Sequence, residues 1–325
     1  MVELSVVIPS RNTEKTIEKT LKSVFANSYP RNKYEVIVVD SSDSDMSYLA
    51  KKFPIRLLRV KPTRNRIANS QRNIGAKAAR GKIIFYTDSD CIVPKNWMRT
   101  IMKQFNGNEI AVVGGGVTTS GNIYDNYLQN SIRSGMRVFK KAEITDASNF
   151  HKRLWPLGAN QAFRKSVLRK MNYFNEKISF YEEVDILWRI AESKFKILSI
   201  PNATVRHTYN KSFFGICKTY FRYGFGCGYF CMKYPNSPLS QRRVVLLVST
   251  LAFYFLIILS LEKFSYLFPL AFIPLSFLAG YYALIKRIGM KTALFTLFDI
   301  IFAGISYIIG MTIATLIYPF QKNWK

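Results

Sequence analysis

Ile83-Ile84-Phe85-Tyr86-Thr87-Asp88-Ser89-Asp90-Cys91 is the stretch on which the reading of this chain turns. Its apolar start reads as a buried strand, and the strand stops at two carboxylates one residue apart. Side chains alternate along an extended chain, so Asp88 and Asp90 share a face there and can clasp one cation. Their hard oxygens, together with a nucleotide's diphosphate, suit the octahedral shell of Mg²⁺ or Mn²⁺. Two acids at a strand end also serve as a solvated turn or a helix cap, so the triplet needs support from the rest of the chain.

Upstream the pattern repeats. Leu4-Ser5-Val6-Val7-Ile8-Pro9 reads as a strand ended by proline, and Thr13 to Phe25 carries Ile17, Leu21, Val24 and Phe25 at helical spacing. Tyr34 to Asp40 is the next strand and runs into the turn-forming cluster Ser41-Ser42-Asp43-Ser44-Asp45. Ile55 to Val60 makes a third strand, Ile67 to Ala79 a helix, and Lys82 to Tyr86 the fourth strand. This alternation predicts an α/β fold with a mostly parallel sheet flanked by helices. Ligands on such sheets bind beyond the carboxyl ends of the strands, where Pro9, Asp40 and Asp88 all fall. At that rim Asp40 either accepts hydrogen bonds from a nucleotide's base or ribose, or holds a plain turn. Arg72, within Asn69-Ser70-Gln71-Arg72-Asn73-Ile74-Gly75, either grips phosphate with its fork or lies on a solvated helix face.

Downstream, a helix is expected from Val93 to Phe105 and a strand from Ile110 into Gly114-Gly115-Gly116. The triple glycine lacks the spacing of a phosphate-binding loop and points to a close backbone approach. Gly121 to Ala147 reads as a helical excursion. Trp155 to Arg164, which includes Asn160, is either a sugar-facing wall or a loop before a helix at Lys165 to Met171. A second acidic constellation follows in Tyr181-Glu182-Glu183-Val184-Asp185-Ile186-Leu187-Trp188-Arg189. Helical spacing sets Glu182 beside Asp185 and Arg189, and a crowded carboxyl of this kind can act as a general base. Acids at a helix start also simply favour the macrodipole.

The net charge is +27, and it sits in two blocks free of Asp and Glu. Met46 to Thr87 holds eleven Lys or Arg and Ser193 to Leu261 holds nine. Such a balance suits nucleic acid, anionic surfaces or phosphate-rich substrates. Cys91, Cys217, Cys227 and Cys231 imply no disulfide framework, and Cys227-x-x-x-Cys231 is poor zinc spacing. The N-terminus enters a strand pattern without a signal-like core, so the catalytic part is expected to stay in the cytoplasm.

Six stretches together resemble family 2 glycosyltransferases: Val6 to Asn12, Val38 to Ser42, Arg72 to Gly75, Tyr86 to Asp90, Gly158 to Arg164 and Glu182 to Asp185. They occur in that family's order and approximate spacing over roughly Met1 to Tyr209. The resemblance implies a GT-A fold and an inverting, metal-dependent transfer from a nucleoside-diphosphate sugar. It further implies that Pro9 and Arg11 border the nucleotide, Asp40 holds base or ribose, and Arg72 lies near the phosphates. Asp88 and Ser89 face the sugar and ribose, Asp90 binds Mn²⁺ or Mg²⁺, and His207 joins Asp88 and Asp90 at the metal. Glu183 stands where the family usually has Asp as catalytic base, which leaves Glu183, Glu182 and Asp185 all open for that role.

Beyond the catalytic domain (1–210) lie a basic, aromatic stretch at 211–243 and an apolar region at 244–325. Phe213 to Tyr234 is expected to lie on lipid headgroups. Runs at 244–260, 264–285 and 292–318 have the length of membrane spans, with a re-entrant pair as the alternative to the first two. Arg242-Arg243 and Lys286-Arg287-Lys291 would place the catalytic domain on the cytoplasmic side of a multi-pass protein. The leading expectation is therefore a transferase acting on a hydroxyl of a lipid-linked saccharide, bound to polyprenyl or dolichyl diphosphate. A polyprenyl-phosphate sugar synthase needs no base, and the acidic motif argues against it. A processive polymer synthase lacks its Gln-x-x-Arg-Trp signature here. A basic membrane scaffold or nucleic-acid binder explains the charge but not the acids at strand ends.

Overall fold

The computed structural model describes residues 1–61, 68–119, 138–178, 180–208, 213–248 and 290–321. The chain divides into two compact units. The larger is built on one nine-stranded sheet. Its first half alternates strands β1 (Leu4–Ser10), β2 (Tyr34–Asp40), β3 (Arg56–Arg59) and β4 (Ile83–Tyr86) with helices α1 (Ile17–Phe25), α2 (Tyr48–Lys52) and α3 (Ala68–Ala78). β5 (Cys91–Ile92), α4 (Trp97–Met102), β6 (Ile110–Thr119), β7 (Glu143–Thr145) and β8 (Gln161–Arg164) come next. Helices α5 (Lys165–Lys170) and α6 (Glu182–Glu192) and strand β9 (Lys196–His207) complete it.

The order across the sheet is β3-β2-β1-β4-β8-β6-β9-β5, with β7 paired to β9. β1 is central and buried along its whole length, which explains its nearly continuous apolar run. On the layer above, Ile17, Leu21 and Val24 of α1 join Val6, Ile8 and Val36 in one core. β1 to β4 pair in parallel, as expected from the crossovers.

The sheet as a whole is mixed rather than mostly parallel. β8 runs antiparallel to both β4 and β6, and β5 and β7 both run antiparallel to β9. The stretch from Trp155 to Arg164 has no alternation of apolar and polar residues, so nothing in it announces a strand. Gln161 and Ala162 are nonetheless fully buried between β4 and β6. The glycines of β6 do mark a close approach: a Cβ at Gly115 would collide with the Ala203 carbonyl of β9. Of the expected helical excursion at Gly121 to Ala147, residues 121–137 lie outside the described residues, and the end forms β7 instead.

The smaller unit contains helices α7 (Phe213–Lys233) and α8 (Met290–Gln321). Among the described residues, no helix is long and apolar enough to cross a membrane. This overturns the multi-pass expectation and, with it, the cytoplasmic placement drawn from flanking charges. The run at 264–285 lies outside the described residues, as does most of 244–260. The run at 292–318 falls within α8, which packs on α7 through its glycine at 310. Gly310 of α8 meets the Phe221 carbonyl of α7, and Gly224 of α7 meets the Tyr307 carbonyl of α8, so neither site has room for a side chain.

Candidate active site

The parallel register sets Ser10 opposite Asp40 and Val7 opposite Tyr86, so β1, β2 and β4 end at one rim. Pro9 is buried in β1, and Arg11 is exposed just past it. Asp88, Ser89 and Asp90 follow β4. The antiparallel pairing of Cys91 with His207 then brings the end of β9 beside them. His207 Nε2 lies 3.3 Å from Asp90 Oδ1 and 3.9 Å from Asp88 Oδ2. Both aspartate side chains keep about a third of their surface open (30%), whereas Ser89 is buried.

Two carboxylates and one imidazole form a donor set that fits a divalent cation of the Mn²⁺ or Mg²⁺ type. Ligand atoms of Asp90, Cys91 and His207 lie within 4.8 Å of one another, so Cys91 joins a cluster in which no sequence pattern singled it out. Its thiol is fully buried, and burial raises its pKa well above the ordinary value, reinforced by the charges of Asp88 and Asp90.

Across the site, the chain enters α6 through Tyr181, whose backbone is left-handed (φ 69°). A non-glycine residue held in that region is strained, and such residues gather at functional sites. The kink sets the acids of the first helical turn in different surroundings. Asp185 is 2% exposed and is paired with Arg189 Nη2 at 2.8 Å, one turn along the helix. Arg189 also donates to the carbonyls of Met171 and Tyr173, so this pair braces α6 against the loop behind it. Glu182 accepts from Arg72 Nη1 at 3.1 Å. Burial and the neighbouring charge of Glu183 push its carboxyl up to about 8, against the pull of Arg72. Glu183 is 9% exposed, and its carboxylate accepts no hydrogen bond from any described residue.

Asp40, Arg72 and Asn160, expected near the nucleotide sugar, are each engaged by other protein groups in this structure. Asp40 is fully buried, accepts from the Ser42 amide and hydroxyl, and is ion-paired with Arg59 of β3. Arg59 is its direct neighbour across the β2–β3 register, a relation visible only once the strands are paired. Arg72 is 4% exposed and donates to Asp88, Glu182 and Asn69. Asn160 is buried as a strut between β6, β9 and α4. Its amide donates to the carbonyls of Gly116 (2.7 Å) and Ala203 (2.6 Å), and its oxygen accepts from Trp97 Nε1 (2.8 Å).

The family model for glycosyl transferase family 2 matches residues 5–171. Glycosyltransferase AglE of Haloferax volcanii is 30% identical over 118 residues, which is 35% of this chain and 39% of AglE. The poly(ribitol-phosphate) β-N-acetylglucosaminyltransferase TarS of Staphylococcus aureus is 30% identical over 103 residues, 30% of this chain and 18% of TarS. The chain thus matches well under half the length of either relative. Among solved structures, the mannosyltransferase PcManGT of Pyrobaculum calidifontis, in complex with GDP-Man and Mn²⁺, superposes with a TM-score of 0.65 at 19% identity. That match covers 97% of this chain and 87% of PcManGT.

Proposed function

Since the chain belongs to glycosyltransferase family 2, we propose that it transfers a sugar from a nucleoside diphosphate to an acceptor hydroxyl with inversion at the anomeric carbon. The observation that carries this reading is the meeting of two kinds of acid at one rim. Asp88 and Asp90 stand with His207, and Glu183, nearly buried at the start of α6, accepts no hydrogen bond from any described residue.

Asp90 and His207 would hold a divalent cation, with Asp88 beside them. When bound, such a cation neutralises the diphosphate and stabilises it as a leaving group. The hard oxygens with one imidazole favour Mn²⁺ over Mg²⁺. Pro9 and Arg11 border the nucleotide at the end of β1. Asp40, neutralised by Arg59, shapes the loop at 41–45 that the base meets. On the opposite side Glu183 accepts the proton of the attacking hydroxyl. Burial and the neighbouring Glu183 push Glu182 toward its protonated form. Asp185, braced by Arg189, holds the helix that carries the base.

The acceptor we favour is a hydroxyl of a lipid-linked saccharide, a reading that rests on the basic, aromatic stretch at 211–243. A polyprenyl-phosphate acceptor arrives already ionised and would have no use for a base at Glu183. The test is a panel of UDP- and GDP-sugars assayed for hydrolysis and for transfer to short lipid-linked saccharides, with Mn²⁺ and with chelator. Turnover with Mn²⁺ that chelator abolishes is expected. Full activity in chelator would remove the metal from this reading.

A further inference from the structure

Arg72 is engaged by protein groups on several sides. Its Nη2 donates to Asp88 Oδ1 at 3.1 Å, and its Nη1 donates to Glu182 Oε1 at 3.1 Å and to Asn69 Oδ1 at 3.4 Å. The Phe174 ring lies 5.9 Å from the guanidinium carbon, and a Cβ at Gly158 would come within 3.1 Å of Nη2. The group is boxed in on all these sides. Turning it outward to a diphosphate would break the links to Asp88 and to Glu182, and the guanidinium, whose side chain is only 5% exposed, would have to leave a buried site to do so.

The rest of α3 points to what Arg72 does. Asn69 donates to the carbonyls of Asn175 (3.0 Å) and Ile178 (2.9 Å). One turn later, Asn73 donates to the Phe174 carbonyl (2.9 Å) and Glu176 Oε1 (2.8 Å), and accepts from the Phe174 amide (3.0 Å). Three polar residues of one helix, all buried, therefore grip the chain that leads into Tyr181 and the acids of α6. Arg72 alone among them also touches the donor side, through Asp88.

We propose that Arg72 is a positioning residue: it ties Asp88 to Glu182 and so sets Glu183 at the attacking hydroxyl, without contacting the donor's phosphates. The proposal rests on the transferase reading above. Its test is a double-mutant cycle on kcat, run beside calorimetric binding of UDP or GDP in the presence of Mn²⁺. Arg72→Lys keeps the charge and loses the fork that spans two acids. Glu182→Ala removes the acceptor, and Glu182→Gln keeps it. Arg72→Lys and Glu182→Ala are each expected to lower kcat by roughly 10- to 100-fold, the scale of a displaced catalytic group. The double variant should fall no further than the worse single, because both break one link. Glu182→Gln should rescue most of the rate at neutral pH, and nucleotide affinity should stay within about threefold throughout. Losses that multiply in the double variant would overturn the proposal. So would a loss of nucleotide affinity of about tenfold or more in Arg72→Lys, the mark of a phosphate ligand. A native chain that transfers no sugar from any donor would sink the transferase reading instead, before any variant is compared.

Discussion

Glu183, Glu182 and Asp185 sit within one helical turn, and only their surroundings separate their roles. Glu183→Gln keeps the shape and removes the basicity, so the transfer rate should fall by roughly 10²-fold or more while metal-dependent nucleotide binding is nearly unchanged. Asp185→Asn weakens the brace to Arg189 instead. It should lower the thermal midpoint together with activity, because breaking a buried pair costs about 3–5 kcal/mol. Normal transfer by Glu183→Gln alongside loss in Asp185→Asn at unchanged stability would move the base to Asp185. Glu182 carries a signature of its own. The folded chain holds its proton up to about 8 against an ordinary 4.5, so the folded state binds more protons than the unfolded one across that window. Stability should therefore fall as pH rises from about 4.5 to about 8, and Glu182→Gln should lack this fall. Parallel melting profiles for the two proteins would contradict it. Helical spacing already put Arg189 within reach of these acids, but the tie of Glu182 to Arg72 was not legible, because that residue lies 110 positions away and meets it only through the fold.

At the scale of elements, the sequence speaks clearly where an element repeats a simple period. β1, β2, β4 and α1 stand where apolar spacing puts them, and the rim of acids follows from their parallel register. β8 is a different case. Four residues between a loop and a helix carry no period, and their place between β4 and β6 is fixed by partners about 50 to 80 residues away in sequence. The triple glycine announced a close approach but not its partner, which is β9 at Ala203. Gly115→Ala should accordingly abolish soluble expression or lower the thermal midpoint by several degrees, since backbone rather than a movable side chain stands in the way. A substitution accepted without a shift in midpoint would mean that β6 and β9 can part there.

Over the whole molecule, charge and apolar content were read with unequal success. The apolar C-terminal third suggested a bilayer because length and hydropathy alone do not distinguish a span from helices that bury their faces on one another, as α7 and α8 do at Gly224 and Gly310. The charge of +27 has a consequence that needs no membrane. A strongly basic surface raises the encounter rate with a polyanionic nucleotide, and salt screens that attraction. Stopped-flow association of a fluorescent GDP or UDP analogue should slow several-fold from about 20 to about 200 mM salt, with a smaller change in the dissociation rate. An association rate indifferent to salt would show that the basic blocks face away from the path of the nucleotide.

The interleaved position of β8 also bears on how the chain is made. β4 leaves the ribosome with one side paired to β1 and the other bare, and β6 follows with neither β8 nor β9 yet synthesised. Ile83 to Tyr86 therefore waits as an open, wholly apolar edge until Gln161–Arg164 emerges. At about 5–20 residues per second that interval is roughly 4 to 16 s, long enough for a nascent edge to find a wrong partner. Chains stalled shortly before β8 should be captured by chaperones or aggregate, whereas chains released just after β9 should not. The half-made sheet, rather than any weakness of the finished one, is then the most vulnerable state in the life of this protein.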